Sequence, residues 1–162
     1  MKRYVIAGIA ACSFFSALAL AQAPVVAHAN HETMLGSPDA RSARNKKIVY
    51  DFWREVVEAG RTELIDKYVG ENYIQHNPNL AVGRAAFAES IARNVKPQLV
   101  QPRVKSPLIA IVADGDLVVV ALASEVQDAQ DPSKKWTTTW FDMFRLDNGK
   151  IVEHWDPAPK LP

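Results

Sequence analysis

Two residues far apart in the chain, His76 and Asp142, carry side chains that can move a proton. His76 stands in Tyr73-Ile74-Gln75-His76-Asn77-Pro78, where polar groups crowd the end of what reads as a strand stopped by Pro78. Asp142 sits inside a second strand-like run, between Trp140 and Phe144. Should the two meet in an apolar hollow, one can act as a base tuned toward ambient pH and the other as a donor to a developing oxyanion. Either could equally be an ordinary buried polar group held by a backbone partner. A third set, His154-x-Asp156, has a spacing that can chelate a metal on one strand face. No third ligand is visible for it, so neither a metal nor another cofactor is expected.

The elements that must position these residues follow from periodicity. Ile48, Val49, Phe52, Trp53, Val56 and Val57 recur with helical spacing until Gly60, which predicts a first helix over 41–59. Leu64, Ile65, Tyr68 and Val69 mark a short second helix, a strand follows over 72–76, and Phe87, Ile91 and Val95 define a third helix over 84–95. Pro97 stops it. Strand runs then cover 103–113, 116–126, 135–147 and 150–156, with Asp114-Gly115 and Asn148-Gly149 as hairpin signals. Pro107 inside the first run implies an edge or a bulge. Helices first and a meander afterwards predict an α+β fold: a cone-shaped, curved antiparallel sheet with the N-terminal helices packed on its concave face. The mouth of such a cone can hold a small molecule.

A two-residue turn at Asn148-Gly149 sets Leu146 opposite Ile151, Phe144 opposite Glu153 and Asp142 opposite Trp155. Alternation then turns Trp140, Asp142, Phe144, Leu146, Ile151, Glu153 and Trp155 toward the helices. Phe141, Met143, Arg145, Val152, His154 and Asp156 face outward. One extra residue would flip every side chain beyond it. On this register Trp140, Phe144 and Trp155, with Phe52 and Trp53 from the covering helix, surround Asp142 as a substrate-binding wall or as plain core. Tyr73 is a further wall candidate, although its alternation with Gln75 places it opposite His76. Arg145 and Asp156 share the outer side, where they pair with each other or face a second subunit.

The ends and the composition bound the rest. Lys2 and Arg3, an apolar run from Tyr4 to Ala21, and the competing sites Ala21-Gln22-Ala23 and Ala27-His28-Ala29 have the layout of a secretory signal peptide. Pro24 hinders the first site, so cleavage is expected after Ala29 and the protein is expected to be periplasmic or secreted. The expected organisation is a signal peptide over 1–29, a flexible tail over 30–39, one domain over 40–157 and a short tail over 158–162. Cys12 is the one cysteine and leaves with the leader, so packing alone must stabilise the domain. The 19 Lys and Arg against 18 Asp and Glu are scattered. Arg41, Arg44, Lys46 and Lys47 read as a solvated helix face, and no nucleic-acid or membrane partner is expected.

The stretch Tyr73 to Pro78 followed by Gly83, and the C-terminal run Phe141 to Asp156, resemble the SnoaL-like polyketide cyclase family within the nuclear-transport-factor-2-like superfamily. Asp142 to Asp147 is also similar to a strand of ketosteroid isomerases whose aspartate lies inside the cone. The resemblance covers nearly all of residues 41–157. It implies a nuclear-transport-factor-2-like, or cystatin-like, roll whose first strand delivers its end into the mouth, pointing His76 at Asp142. It implies a small apolar or carbonyl-containing ligand, with proton abstraction beside the carbonyl leading to aldol-type cyclisation or isomerisation. Either Asp142 is the base and His76 the donor, or Asp142 stays protonated and His76 takes the proton, as described for ketosteroid isomerase. The alternatives are a non-catalytic ligand-binding module and an interaction domain. Dimers are common in proteins of this kind, so a homodimer is a further expectation.

Overall fold

The computed structural model describes residues 22–161. Most of the expected signal peptide, and Cys12 with it, lies outside them. Asn30 to Asp39 is not a loose tail throughout, because it holds a short helix α1 (His31–Leu35). The Asn30 side chain caps it by accepting from the N–H groups of Glu32 and Thr33. Five residues are too few to show a period, which is why composition alone reads as a tail. Lys46 is no solvated residue either. It is buried, and its ammonium donates to the carbonyls of Met34 and Gly36 at 2.7 and 2.5 Å, tying the end of α1 to the next helix.

That helix, α2 (Ala40–Phe52), is capped by the Asp39 carboxylate and runs on as a π-helix over Trp53–Glu58. Gly60 closes it at φ 66°, where a Cβ would lie 3.1 Å from Val95. A 3₁₀ turn (Thr62–Leu64) leads into α3 (Ile65–Tyr68), then β1 (Val69–Gln75) and α4 (Arg84–Asn94). The meander follows as β2 (Leu108–Asp114), β3 (Leu117–Gln127), β4 (Lys135–Asp147) and β5 (Lys150–Trp155). Pro107 falls just before β2, an edge strand with an irregular register between Leu108 and Ala110. Asn148 and Gly149 both take positive φ, 49° and 77°, as the two-residue turn between β4 and β5 requires.

The sheet order is β1-β5-β4-β3-β2. It is not wholly antiparallel: β1 returns beside β5 in parallel, because the chain reaches it from the helical layer and not from a hairpin. The helices cover one face. Val49, Val56, Val69, Val118 and Ile151 there have no exposed surface. Each such side chain contributes about 1.5–3 kcal/mol by leaving water. Among the described residues no helix is long and apolar enough to cross a membrane.

Candidate functional site

The register of the last hairpin decides which residues meet. Leu146 pairs with Ile151 as expected, but the next pairs are Arg145 with Glu153, Phe144 with His154 and Met143 with Trp155. Val152 is an extra residue on β5, a β-bulge that reverses the parity of everything after it. His154 therefore lies on the covered face beside Asp142, and Glu153 and Trp155 lie on the outer one. This corrects the expectations that Trp155 lines the pocket and that His154 and Asp156 lie opposite Asp142.

On β1 the inward residues are Tyr73 and Gln75, 2% and 7% exposed. His76 consequently points the other way. Its ring stacks on Trp155, with centroids 5.0 Å apart and planes 5° apart, and its Nε2 lies 2.8 Å from Glu153 Oε1. The expected meeting of His76 with Asp142 does not occur, and Tyr73, which alternation placed opposite His76, stands in the wall.

In its place a buried chain of hydrogen bonds crosses three strands. Asp142 Oδ1 lies 2.9 Å from His154 Nε2, and His154 Nδ1 lies 2.9 Å from Gln75 Oε1. Gln75 Nε2 donates to the Tyr73 hydroxyl oxygen at 3.1 Å. The proton positions follow from one fixed donor. The backbone N–H of Asn77 donates to Gln75 Oε1 at 2.9 Å, which identifies that atom as the amide oxygen. His154 Nδ1 must then carry a hydrogen and donate to it. One proton remains to be shared between His154 Nε2 and Asp142 Oδ1. Tyr73, whose oxygen accepts from Gln75, keeps its own O–H free to donate. Burial pushes the Tyr73 phenol well above its ordinary range, with Asp156 and Asp142 adding to it, so that O–H stays protonated.

Asp142 Oδ2 is the one buried side-chain nitrogen or oxygen among the described residues without a hydrogen-bond partner. Beside it is a cavity of about 130 Å³ lined by Phe52, Trp53, Tyr73, Phe87, Phe144 and Leu80, with the polar chain at one end. The π-helical stretch contributes Trp53 and Val57 to this wall, and the Trp53 indole N–H is fixed by Ser106 Oγ at 3.2 Å. Phe144 stacks on the His154 ring with centroids 4.7 Å apart. Trp140 is on the same face but packs into the core away from the cavity.

Among the described residues, Asp142, His154 and Asp156 are the ones that could hold a cation, since their ligand atoms all lie within 4.8 Å of one another. In this arrangement both His154 nitrogens are engaged. The two Asp156 oxygens accept from Asn77 Nδ2 at 2.8 Å and Ala158 N–H at 2.9 Å. Arg145 pairs with Asp116 at 2.7 Å and Glu153 at 3.0 Å, not with Asp156. Larger clefts of about 560 and 580 Å³ open elsewhere, the first beside Glu32, Asp51, Arg54 and Arg103 and the second beside Arg41, Arg44, Asp116 and Arg145.

A meander closed by a parallel first strand, helices on one face and polar groups at the end of the hollow between them, is the nuclear-transport-factor-2-like, or cystatin-like, α+β fold. Within it the chain belongs to the SnoaL-like polyketide cyclase family, which it matches over residues 47–161. An LEH-like epoxide hydrolase of M. tuberculosis is similar at 17% identity and a TM-score of 0.50, over 72% of this chain and 83% of that one. TsrD from Streptomyces laurentii is similar at 17% identity and 0.48, over 74% and 90%. A protein of unknown function with a cystatin-like fold from Xanthomonas campestris is similar at 17% identity and 0.47, over 69% and 88%. At these identities the likeness concerns the fold alone. No curated protein matches the chain.

Proposed function

We propose that this protein is an acid–base catalyst that takes a proton from the carbon next to the carbonyl of a small molecule. The observation that carries this reading is the unpartnered, buried Asp142 Oδ2 beside an apolar cavity. A ligand carbonyl accepts from the Tyr73 O–H while Oδ2 takes the neighbouring C–H proton. The electron pair of the broken C–H bond moves into an enolate whose oxygen Tyr73 holds. His154, donating toward Oδ1 and anchored through Nδ1 to Gln75, keeps the carboxyl aimed and steadies it in both protonation states. Where a C=C is conjugated with the enolate, Oδ2 returns the proton to its far carbon as the double bond shifts, an isomerisation; or the enolate carbon attacks a second carbonyl of the same molecule and Oδ2 returns the proton to the resulting alkoxide, an aldol cyclisation. Of the two orders open at the outset, this reading takes Asp142 as base, with Tyr73 in the donor's part first given to His76 and His154 orienting the carboxyl.

Export belongs to the same proposal and rests on Lys2, Arg3, the apolar run and the two Ala-x-Ala sites. A homodimer through the outer sheet face is supported by Phe141, which is 52% exposed there. A second reading, a binding module without turnover, is supported by the polar chain itself, whose members satisfy one another except at Asp142 Oδ2 and the Tyr73 O–H.

The test is hydrogen–deuterium exchange at the α-carbons of cyclohexanone in D₂O, followed by NMR. The protein is expected to accelerate exchange, and Tyr73→Phe to slow it by about 10²–10³-fold, the usual effect of losing one oxyanion donor. Exchange no faster than in buffer would leave the binding module as the surviving reading.

A further inference from the structure

We infer that Asp142, His154 and Asp156 form a zinc site, with the Asp142 carboxylate, His154 Nε2 and the Asp156 carboxylate as its three protein ligands. His154-x-Asp156 on its own lacked a third ligand, and the fold supplies one. The bulge at Val152 turns His154 toward the covered face beside Asp142, and the ligand atoms of the three residues lie within 4.8 Å of one another. Zinc bonds of roughly 2.0–2.2 Å at tetrahedral angles hold ligand atoms roughly 3.3–3.6 Å apart. The 2.9 Å between Asp142 Oδ1 and His154 Nε2 and the 4.8 Å limit lie on either side of that spacing, so rotations of the side chains close the set.

The hydrogen bonds around the three residues are those that orient the ligands of a metal. His154 Nδ1–H donates to Gln75 Oε1 at 2.9 Å, which leaves Nε2 as the ring's ligating nitrogen. Asp156 accepts from Asn77 Nδ2 at 2.8 Å and from the Ala158 N–H at 2.9 Å, which fixes its carboxylate and leaves each oxygen a further lone pair. Gln75 and Asn77, the two amides that flank His76, thus hold one ligand each. Asp142 Oδ2 is buried and has no hydrogen-bond partner among the described residues.

Charge and ligand type name the ion. The partners of Asp156 are neutral groups, and Asp142 and His154 share one proton, so the three residues together keep a negative charge that none of these contacts balances. A divalent cation takes the place of the shared proton, which leaves to solvent, and bonds Nε2 and both carboxylates. One imidazole and two carboxylates suit zinc, whereas Mg²⁺ and Ca²⁺ take oxygen ligands. Three protein ligands leave a fourth zinc position open. The ion and the proposed base are alternative uses of one carboxylate, so bound zinc would halt proton transfer by Asp142. The site stands on its ligand set and does not need the catalytic reading.

The test is calorimetric titration of the metal-stripped protein with Zn²⁺ and with Ca²⁺, read together with the long-range ¹H–¹⁵N spectrum of the histidine rings. One Zn²⁺ per chain is expected, with the His154 Nε2 signal shifting, Nδ1 keeping its hydrogen and the His76 ring unchanged. Asp156→Asn, which keeps one accepting oxygen, is expected to weaken zinc binding by about tenfold or more. Ca²⁺ is expected to bind more weakly than Zn²⁺ by about tenfold or more. No zinc binding, zinc held at other histidines with His154 unmoved, an unchanged affinity in Asp156→Asn, or Ca²⁺ binding as tightly as Zn²⁺ would overturn the inference. The spectrum of the parent protein decides the point even where Asp156→Asn unfolds. Zinc bound at His154 in a protein that exchanges no ketone α-proton would remove the catalytic reading and leave the site standing, whereas exchange without zinc binding would do the reverse.

Discussion

The sheet carries two histidine–carboxylate pairs, back to back. On the covered face His154 and Asp142 stand 2.9 Å apart, and on the outer face His76 and Glu153 stand 2.8 Å apart. Glu153 and His154 are neighbours in sequence, so one strand supplies one member to each pair. The side chains of the inner pair are 9% and 8% exposed and end in an unmet oxygen beside an apolar hollow. The His76 side chain is 42% exposed, stacks on Trp155 and shares Glu153 with Arg145. Equal distances thus hide unequal chemistry. The outer pair is open to screening by water, while the inner pair keeps one buried oxygen, Asp142 Oδ2, that no described residue completes.

The largest expected effect comes from removing the residue that keeps the pairs apart. Deleting Val152 would restore straight pairing, turn His154 outward and drive Glu153 and Trp155 into the core. Burying the unpaired carboxylate costs several kcal/mol, so the domain is expected to lose cooperative urea unfolding. An unfolding midpoint unchanged from the parent would show that the bulge does not set the register.

Next in size is the contrast between the two histidines. His154→Ala leaves Asp142 buried with neither oxygen bonded and is expected to cost about 3–5 kcal/mol, whereas His76→Ala removes an exposed pair worth less than about 1 kcal/mol. Urea midpoints of the two variants measure the difference, and equal losses would erase the distinction between the faces.

Gln75→Glu probes the proton order within the inner pair's support. A carboxylate there accepts from His154 Nδ1–H and also from the Tyr73 O–H, reversing the hydroxyl and removing the donor offered to a ligand. Ketone exchange is expected to fall about 10²-fold, as for a lost oxyanion donor, and adding Tyr73→Phe should cost little more. A multiplicative loss in the double variant would mean that Gln75 acts by another route.

The smallest effect is on acid stability. The hydrogen bond from His76, and then Arg145, hold the Glu153 carboxyl below its ordinary value of 4.5. A folded value below the unfolded one means the stabilisation is complete above pH 4.5 and is lost as pH falls through the folded value. Glu153→Gln should flatten that acid limb of the urea-midpoint profile by less than about 1 kcal/mol. An unchanged acid limb would show that the outer pair has no energetic role.

Much of this was legible in the residues. The helical stripe through Phe52 and Trp53, the strand runs and the Asn148-Gly149 turn give the α+β layers, and the inward parity of Trp140, Asp142, Phe144 and Leu146 holds. What was not legible is the partner of Asp142. Val152 is a good strand residue, so nothing in Ile151-Val152-Glu153-His154 marks a bulge. Gln75 and His76 are both polar, so polarity could not choose which faces inward. The buried tyrosine two residues earlier was the available signal, since a residue sharing Tyr73's parity is Gln75 and not His76. The π-helix also escapes a pattern argument, because its apolar residues satisfy the ordinary helical period until the chain is folded.

The claim on which the account turns is that the inner carboxyl does chemistry and the outer one does not. Cyclohexanone α-exchange in D₂O, measured for Asp142→Asn and Glu153→Gln beside the parent protein, tests it most directly. The account predicts that Asp142→Asn falls by about 10²–10⁴-fold while Glu153→Gln stays within about twofold. Equal rates in the two variants, or a larger loss in Glu153→Gln, would contradict it.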